Sequence, residues 1–121
     1  MAPAPGQEPQ LGRVDRPWGW FETLAWGEGY LVKRLLIHKG CRISLQRHRH
    51  RCEHWVVVAG AGELQLEASP IPASAGTCLF IPQGAVHRAS AGQHDLLIVE
   101  VQRGELLSED DIERLADDFG R

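Results

Sequence analysis

The chain has 121 residues, 43% hydrophobic and 24% charged, with a formal net charge of −3, a length that buries one core and leaves too little for a second. So slight an acidic balance supplies no basic field for nucleic acid, and no apolar run approaches the roughly 18 to 20 residues that span a bilayer. The start MAPAPGQEPQ lacks the charged-then-apolar order of an export signal, so a cytoplasmic protein is expected.

Residues 1–12 are rich in Pro, Ala, Gly and Gln and are expected to form a flexible tail, leaving 13–121 as a single domain. From Arg16 the string RPWGWFETLAWG concentrates Trp18, Trp20, Phe21 and Trp26, which suits aromatic strands or a cover over a barrel end. Short β-branched and aliphatic runs follow, among them GYLVKRLLIHKG, HWVVVAGAG, TCLFIPQG and HDLLIVEVQ, separated by turn-formers. Many short strands so punctuated predict an all-β protein, a closed or sandwiched antiparallel β structure such as a small barrel. In the tail SEDDIERLADDFGR the residues Ile112, Leu115, Ala116 and Phe119 recur at helical spacing, and Ser108 with Asp111 matches a capping box, so a short C-terminal helix is predicted. Cys41, Cys52 and Cys78 are odd in number and lack CxxC spacing, which predicts buried, reduced thiols.

The chemistry-bearing stretch is Ser44-Leu-Gln-Arg-His-Arg-His50. If it is extended, Ser44, Gln46, His48 and His50 share one face. Two imidazoles so placed can bind one ion. A second segment, Gly76-Thr-Cys-Leu-Phe-Ile-Pro82-Gln-Gly84-Ala-Val-His87, ends a strand in a Pro/Gly turn and sets a third histidine on the next strand. His38 and His94 have no such partners.

Together these segments resemble the two motifs of the cupin superfamily, G-x(5)-HxH-x(3,4)-E-x(6)-G and G-x(5)-P-x-G-x-x-H-x(3)-N, over Gly40 to Ala91. The resemblance implies a jelly-roll barrel, or double-stranded β-helix, holding one divalent metal ion on His48, His50, Glu53 and His87. Three departures stand out: Gly40 lies seven residues before His48, Glu53 follows His50 after two residues, and Ala91 replaces the closing Asn. Simple alternation from His50 would turn His54 inward instead of Glu53, whereas a bulge near Arg51 and Cys52 would restore Glu53, so both residues are candidates for the fourth ligand.

More of the chain, from about Arg16 to Arg121, is similar to the type II mannose-6-phosphate isomerase family, through RPWGWFETL, SLQRHRHRCEHWVVVAGAGEL, IPQGAVHR and LLSEDDIERLADDFGR. Such domains often follow a sugar-nucleotide pyrophosphorylase domain, whose Gly-rich nucleotide loop has no counterpart here. The resemblance implies interconversion of mannose 6-phosphate and fructose 6-phosphate through an enediol. That reaction needs a base, charge stabilisation and a phosphate grip. Zinc is the first expectation for the ion, with manganese, iron, nickel and cobalt as alternatives. Glu100 and Lys33 are the candidate catalytic groups, and Gln46, Arg51, Arg88 and Gln102 the candidate substrate contacts. A sugar phosphate is the expected partner, and a homodimer through edge strands is an expectation from small barrels in general. Competing readings are a non-catalytic sugar-binding module and oxygen-dependent metal chemistry on the same ligands.

Overall fold

A computed structural model describes residues 11–121, which form eleven strands and no helix. Most of the expected tail lies outside the described residues, but its last position does not: Gly12 opens strand β1 (Gly12–Arg16), opposite Thr23. The chain continues through β2 (Gly19–Gly27), β3 (Tyr30–Ile37), β4 (Leu45–Arg47), β5 (Arg51–Ala59) and β6 (Ala61–Leu66). It then forms β7 (Ser69–Ser74), β8 (Cys78–Ile81), β9 (His87–Ala91), β10 (Leu96–Gly104) and β11 (Glu113–Ala116).

Two antiparallel sheets result, one of six strands in the order β1-β2-β3-β10-β5-β8 and one of five in the order β11-β4-β9-β6-β7. Sequence period two explains which faces meet: along YLVKRLLI and LLIVEVQ every second residue is buried. Register then sorts the buried face by polarity. One end carries apolar rows such as Ile37 with Leu96, and Leu35 with Ile98 and Val57. Two rows further along β10, Lys33, Glu100 and Trp55 lie side by side, followed by Leu31, Gln102 and Glu53. The interior is therefore closed and apolar at one end and polar at the other, and the polar end carries the candidate site.

Gly60 joins β5 to β6 with φ +93°, a conformation that disfavours a side chain, and a Cβ there would lie 1.9 Å from the Asp95 carbonyl oxygen. Backbone on both sides fixes the clash. Gly60→Ala is expected to destabilise the fold by about 3 kcal/mol, read as a lower denaturation midpoint at unchanged slope.

Two expectations are corrected here, and a third is refined. The tail forms no helix: Ser108 and Asp111 close a turn, with the Asp111 amide donating to the Ser108 carbonyl at 3.1 Å, and Glu113–Ala116 pairs as β11 with β4. The open edge of three-residue β4 offers backbone partners that an isolated helix on the surface would leave unmet. Cys78 is exposed and Cys41 and Cys52 are half-buried, all three as free thiols. The aromatic group divides: Trp18 and Phe21 enter the core, while Trp20 stays partly exposed under the Arg13 guanidinium, 3.8 Å from its ring centroid. No described helix is long and apolar enough to cross a membrane.

Candidate metal centre

His48, just beyond β4, Glu53 on β5 and His87 on β9 bring three ligand atoms within 4.8 Å of one another, all three side chains buried. Nε2 of His48 lies 3.2 Å from one Glu53 oxygen, and Nε2 of His87 lies 3.6 Å from the other. The opposite ring nitrogens are held from behind: Nδ1 of His48 is 2.6 Å from the Asp111 carbonyl, and Nδ1 of His87 is 2.9 Å from the Ala85 carbonyl. A carbonyl only accepts, so each Nδ1 carries the proton and each Nε2 presents a bare lone pair towards Glu53.

Burial, reinforced by the Arg51 charge, lowers the His48 pKa to about 4, and burial likewise lowers that of His87. Both imidazoles are neutral at physiological pH. Nε2 of His87 has no hydrogen-bond partner, a costly state for a buried polar atom. Two unprotonated imidazole nitrogens beside a carboxylate are the donor set of a divalent ion, and an ion there would satisfy the orphaned nitrogen, so these residues fit a metal.

His50 does not join this cluster. It is exposed, because the chain bends at Arg49 and His50, whose amides both donate to the Asp111 carboxylate at 2.9 Å. The extended alternation that would pair His50 with His48 is thereby broken. The same bend decides between the two candidates for the fourth position: Glu53 turns inward, while His54 lies on the outer face against Phe80 and accepts from Nε of Arg103 at 3.0 Å.

Gln46 sits opposite His87 in the β4–β9 pairing, on the same side of the sheet. Its amide donates to the carbonyl and hydroxyl of Ser44, both at 3.2 Å. Pairing Gln46 with His48 also removes two of the spacing departures, since Gly40 lies five residues before Gln46, and Glu53 follows His48 after four. The signal was therefore present in the sequence, with glutamine standing where the motif has its first histidine.

The two arginines among the candidate substrate contacts, Arg51 and Arg88, are engaged by the protein itself. Arg51 is buried; its Nε donates to Glu53 at 2.9 Å, Nη1 to the Ser108 carbonyl at 3.1 Å, and Nη2 lies 3.3 Å from Nε2 of His48. Arg88 alternates away from His87 and donates to the carbonyls of Ile43 at 2.9 Å and Ala116 at 3.2 Å, fastening β11 to the sheet.

A cavity of about 360 Å³ opens onto Lys33, Gln46, Glu53, Trp55 and Glu100. Trp55, unanticipated in the sequence reading, donates from one indole N–H to Glu53 at 3.1 Å and Glu100 at 2.9 Å. Gln102 donates to the other Glu100 oxygen at 2.8 Å. Burial, and then the neighbouring Glu53 charge, holds the Glu100 carboxyl above the usual carboxylate range. Lys33, ion-paired with Glu109, has its pKa lowered to about 8 chiefly by burial. Asp111 and Glu109 were also missed, because the segment that carries them read as a surface helix.

Two stacked antiparallel sheets with inward histidines define a cupin. Solved cupin-like structures agree: the chain superposes with TM-score 0.72 and 17% identity on an RmlC-like cupin from Shewanella frigidimarina, covering 84% of this chain and 88% of that one. The capsular polysaccharide assembling protein CapF of Staphylococcus aureus gives TM-score 0.76 at 17% identity, over 90% of this chain and 35% of that one. The family described as "Mannose-6-phosphate isomerase C-terminal" matches residues 7–117, and the chain belongs to it. Alginate biosynthesis protein AlgA of Pseudomonas aeruginosa is 42% identical over 109 residues, 89% of this chain and 23% of AlgA. Mannose-1-phosphate guanylyltransferase of Escherichia coli K12 is 39% identical over the same share of this chain and 23% of its own length. The chain thus spans under a quarter of these curated relatives.

Proposed function

We propose that this domain is a metal-dependent isomerase interconverting mannose 6-phosphate and fructose 6-phosphate. The observation that carries the reading is the buried His48, Glu53 and His87 cluster, whose imidazole Nε2 atoms carry no proton, set beside a cavity that also receives a buried lysine. His48, His87 and Glu53 would hold the ion, with the Gln46 amide oxygen as a neutral fourth donor and zinc as the first expectation. A divalent ion supplies Lewis acidity where negative charge develops on the sugar oxygens of an enediol.

The remaining work falls to side chains. Lys33, with a pKa of about 8, is the group best tuned to take the proton from C2 and return it to C1 near neutral pH. Glu100 lies opposite Lys33 in the β3–β10 pairing, and the charge of its carboxyl acts on the amine. Trp55 and Gln102 fix that carboxyl by occupying both its oxygens. Arg51 orients Glu53 towards the histidines.

Elemental analysis of the purified protein, paired with a coupled assay on mannose 6-phosphate, tests the reading. Near-stoichiometric metal is expected, with turnover lost on chelation and restored by zinc, manganese or cobalt. Full-rate turnover of metal-free protein would overturn the metal's role. Sugar-phosphate binding without turnover under every ion would make the domain a binding module.

A further inference from the structure

A hexose phosphate must be gripped at its phosphate end while C1 and C2 lie near the reacting groups, so a cation is needed at a distance from the His87 cluster. Besides Lys33 and the internally bonded Arg51, the cavity is lined by Arg16, Arg114 and Arg121. Arg16 donates to the Asp15 carbonyl at 2.9 Å, and Arg121 is paired with Asp117 at 2.8 Å. The Arg114 side chain is exposed and engages no hydrogen bond or ion pair among the described residues.

Register shows where Arg114 points. It lies opposite Gln46 in the β11–β4 pairing, and Gln46 lies opposite His87 in the β4–β9 pairing. Directly opposed residues of antiparallel strands project to the same side, so Arg114, Gln46 and His87 form one row, of which Arg114 and Gln46 line the cavity. Arg114 stands two strand spacings from His87, ~10 Å at the backbone, a span on the scale of a hexose phosphate. Of the carboxylates near this rim, Glu109 pairs with Lys33, leaving Asp110 to set against Arg114.

We propose that Arg114 is the phosphate-recognition residue of this cavity, drawing the phosphate of a sugar phosphate to the rim while the sugar enters. This rests on the sugar-phosphate reading above and specifies which residue selects the phosphorylated substrate. The row also gives β11 a purpose beyond covering the β4 edge, since a helix over the same residues would not have set Arg114 opposite Gln46.

Calorimetric titration of the full chain with mannose 6-phosphate, mannose and inorganic phosphate, in wild type, Arg114→Gln and Arg114→Lys, is the test. Arg114→Gln is expected to weaken mannose 6-phosphate binding roughly 10- to 100-fold and leave mannose binding unchanged, with Arg114→Lys in between. In the coupled assay KM should rise more than kcat falls. Mannose 6-phosphate affinity within about twofold of wild type in Arg114→Gln, or no wild-type preference for the phosphorylated sugar, would overturn the assignment. Failure of the two readings is separable: Arg114-dependent binding with no turnover under any ion defeats the isomerase and keeps the phosphate site. Unaltered KM in an active Arg114→Gln enzyme does the reverse.

Discussion

Replacing His87 by alanine is expected to strip the domain of its metal and lower turnover by about a hundredfold or more, while His50→Ala leaves both nearly unchanged. The contrast follows from burial and direction. Nε2 of His87 points at Glu53 from a ring held by the Ala85 carbonyl and has no other partner. His50 is exposed, and its contribution to the bend is made by its backbone amide, which alanine retains. Loss of the imidazole would remove one of the proposed ligands and leave His48, Glu53 and the Gln46 amide oxygen to hold the ion. The fold should persist, since the Gln46–His87 and Leu66–His87 pairings of β9 are backbone pairings. Elemental analysis, the coupled assay and circular dichroism on both variants check this. Metal retained in His87→Ala but lost in His50→Ala would return the site to the HxH reading.

Why the sequence leads towards His50 is physical. The alternation rule holds only while the chain is extended, and what ends the extension is Asp111, whose carboxylate binds the amides of Arg49 and His50 from about sixty residues away. No local pattern announces such a contact. The strands themselves were legible because period two is local: LLIVEVQ assigns Glu100 and Gln102 to one face, and the structure buries both. The tail went the other way. Ile112, Leu115 and Phe119 repeat at helical spacing, yet Leu115 and Phe119 remain exposed, and backbone pairing with the β4 edge decides the conformation. Arg88 shows the same limit, since proximity to His87 in sequence is opposition in a strand.

The second large effect belongs to Lys33. Its side chain is 6% exposed, with Nζ paired to Glu109 and 4.3 Å from the Phe21 ring centroid. Burial lowers its pKa to about 8 from 10.5; the Glu100 and Glu53 charges oppose that shift, and the Arg51 and Arg16 charges add to it. Below pH 8 folded and unfolded chains both hold the proton, and the folded state carries the full cost of a buried charge. Between about 8 and 10.5 the folded chain has released a proton that the unfolded chain keeps, so stability rises with pH through that window. In Lys33→Met this dependence is absent. The stability difference, wild type minus variant, should therefore move in favour of wild type by up to about 3 kcal/mol between pH 7.5 and 10.5. Denaturation of metal-free protein at several pH values measures it, and groups common to both proteins cancel in the difference. The same lysine, acting as base, should give wild-type kcat/KM an ascending limb near pH 8, with turnover in Lys33→Met reduced by about 10² to 10⁴. Parallel stability curves would place the Lys33 titration outside this window, and an unchanged pH-rate profile in the variant would assign the proton transfer to another group.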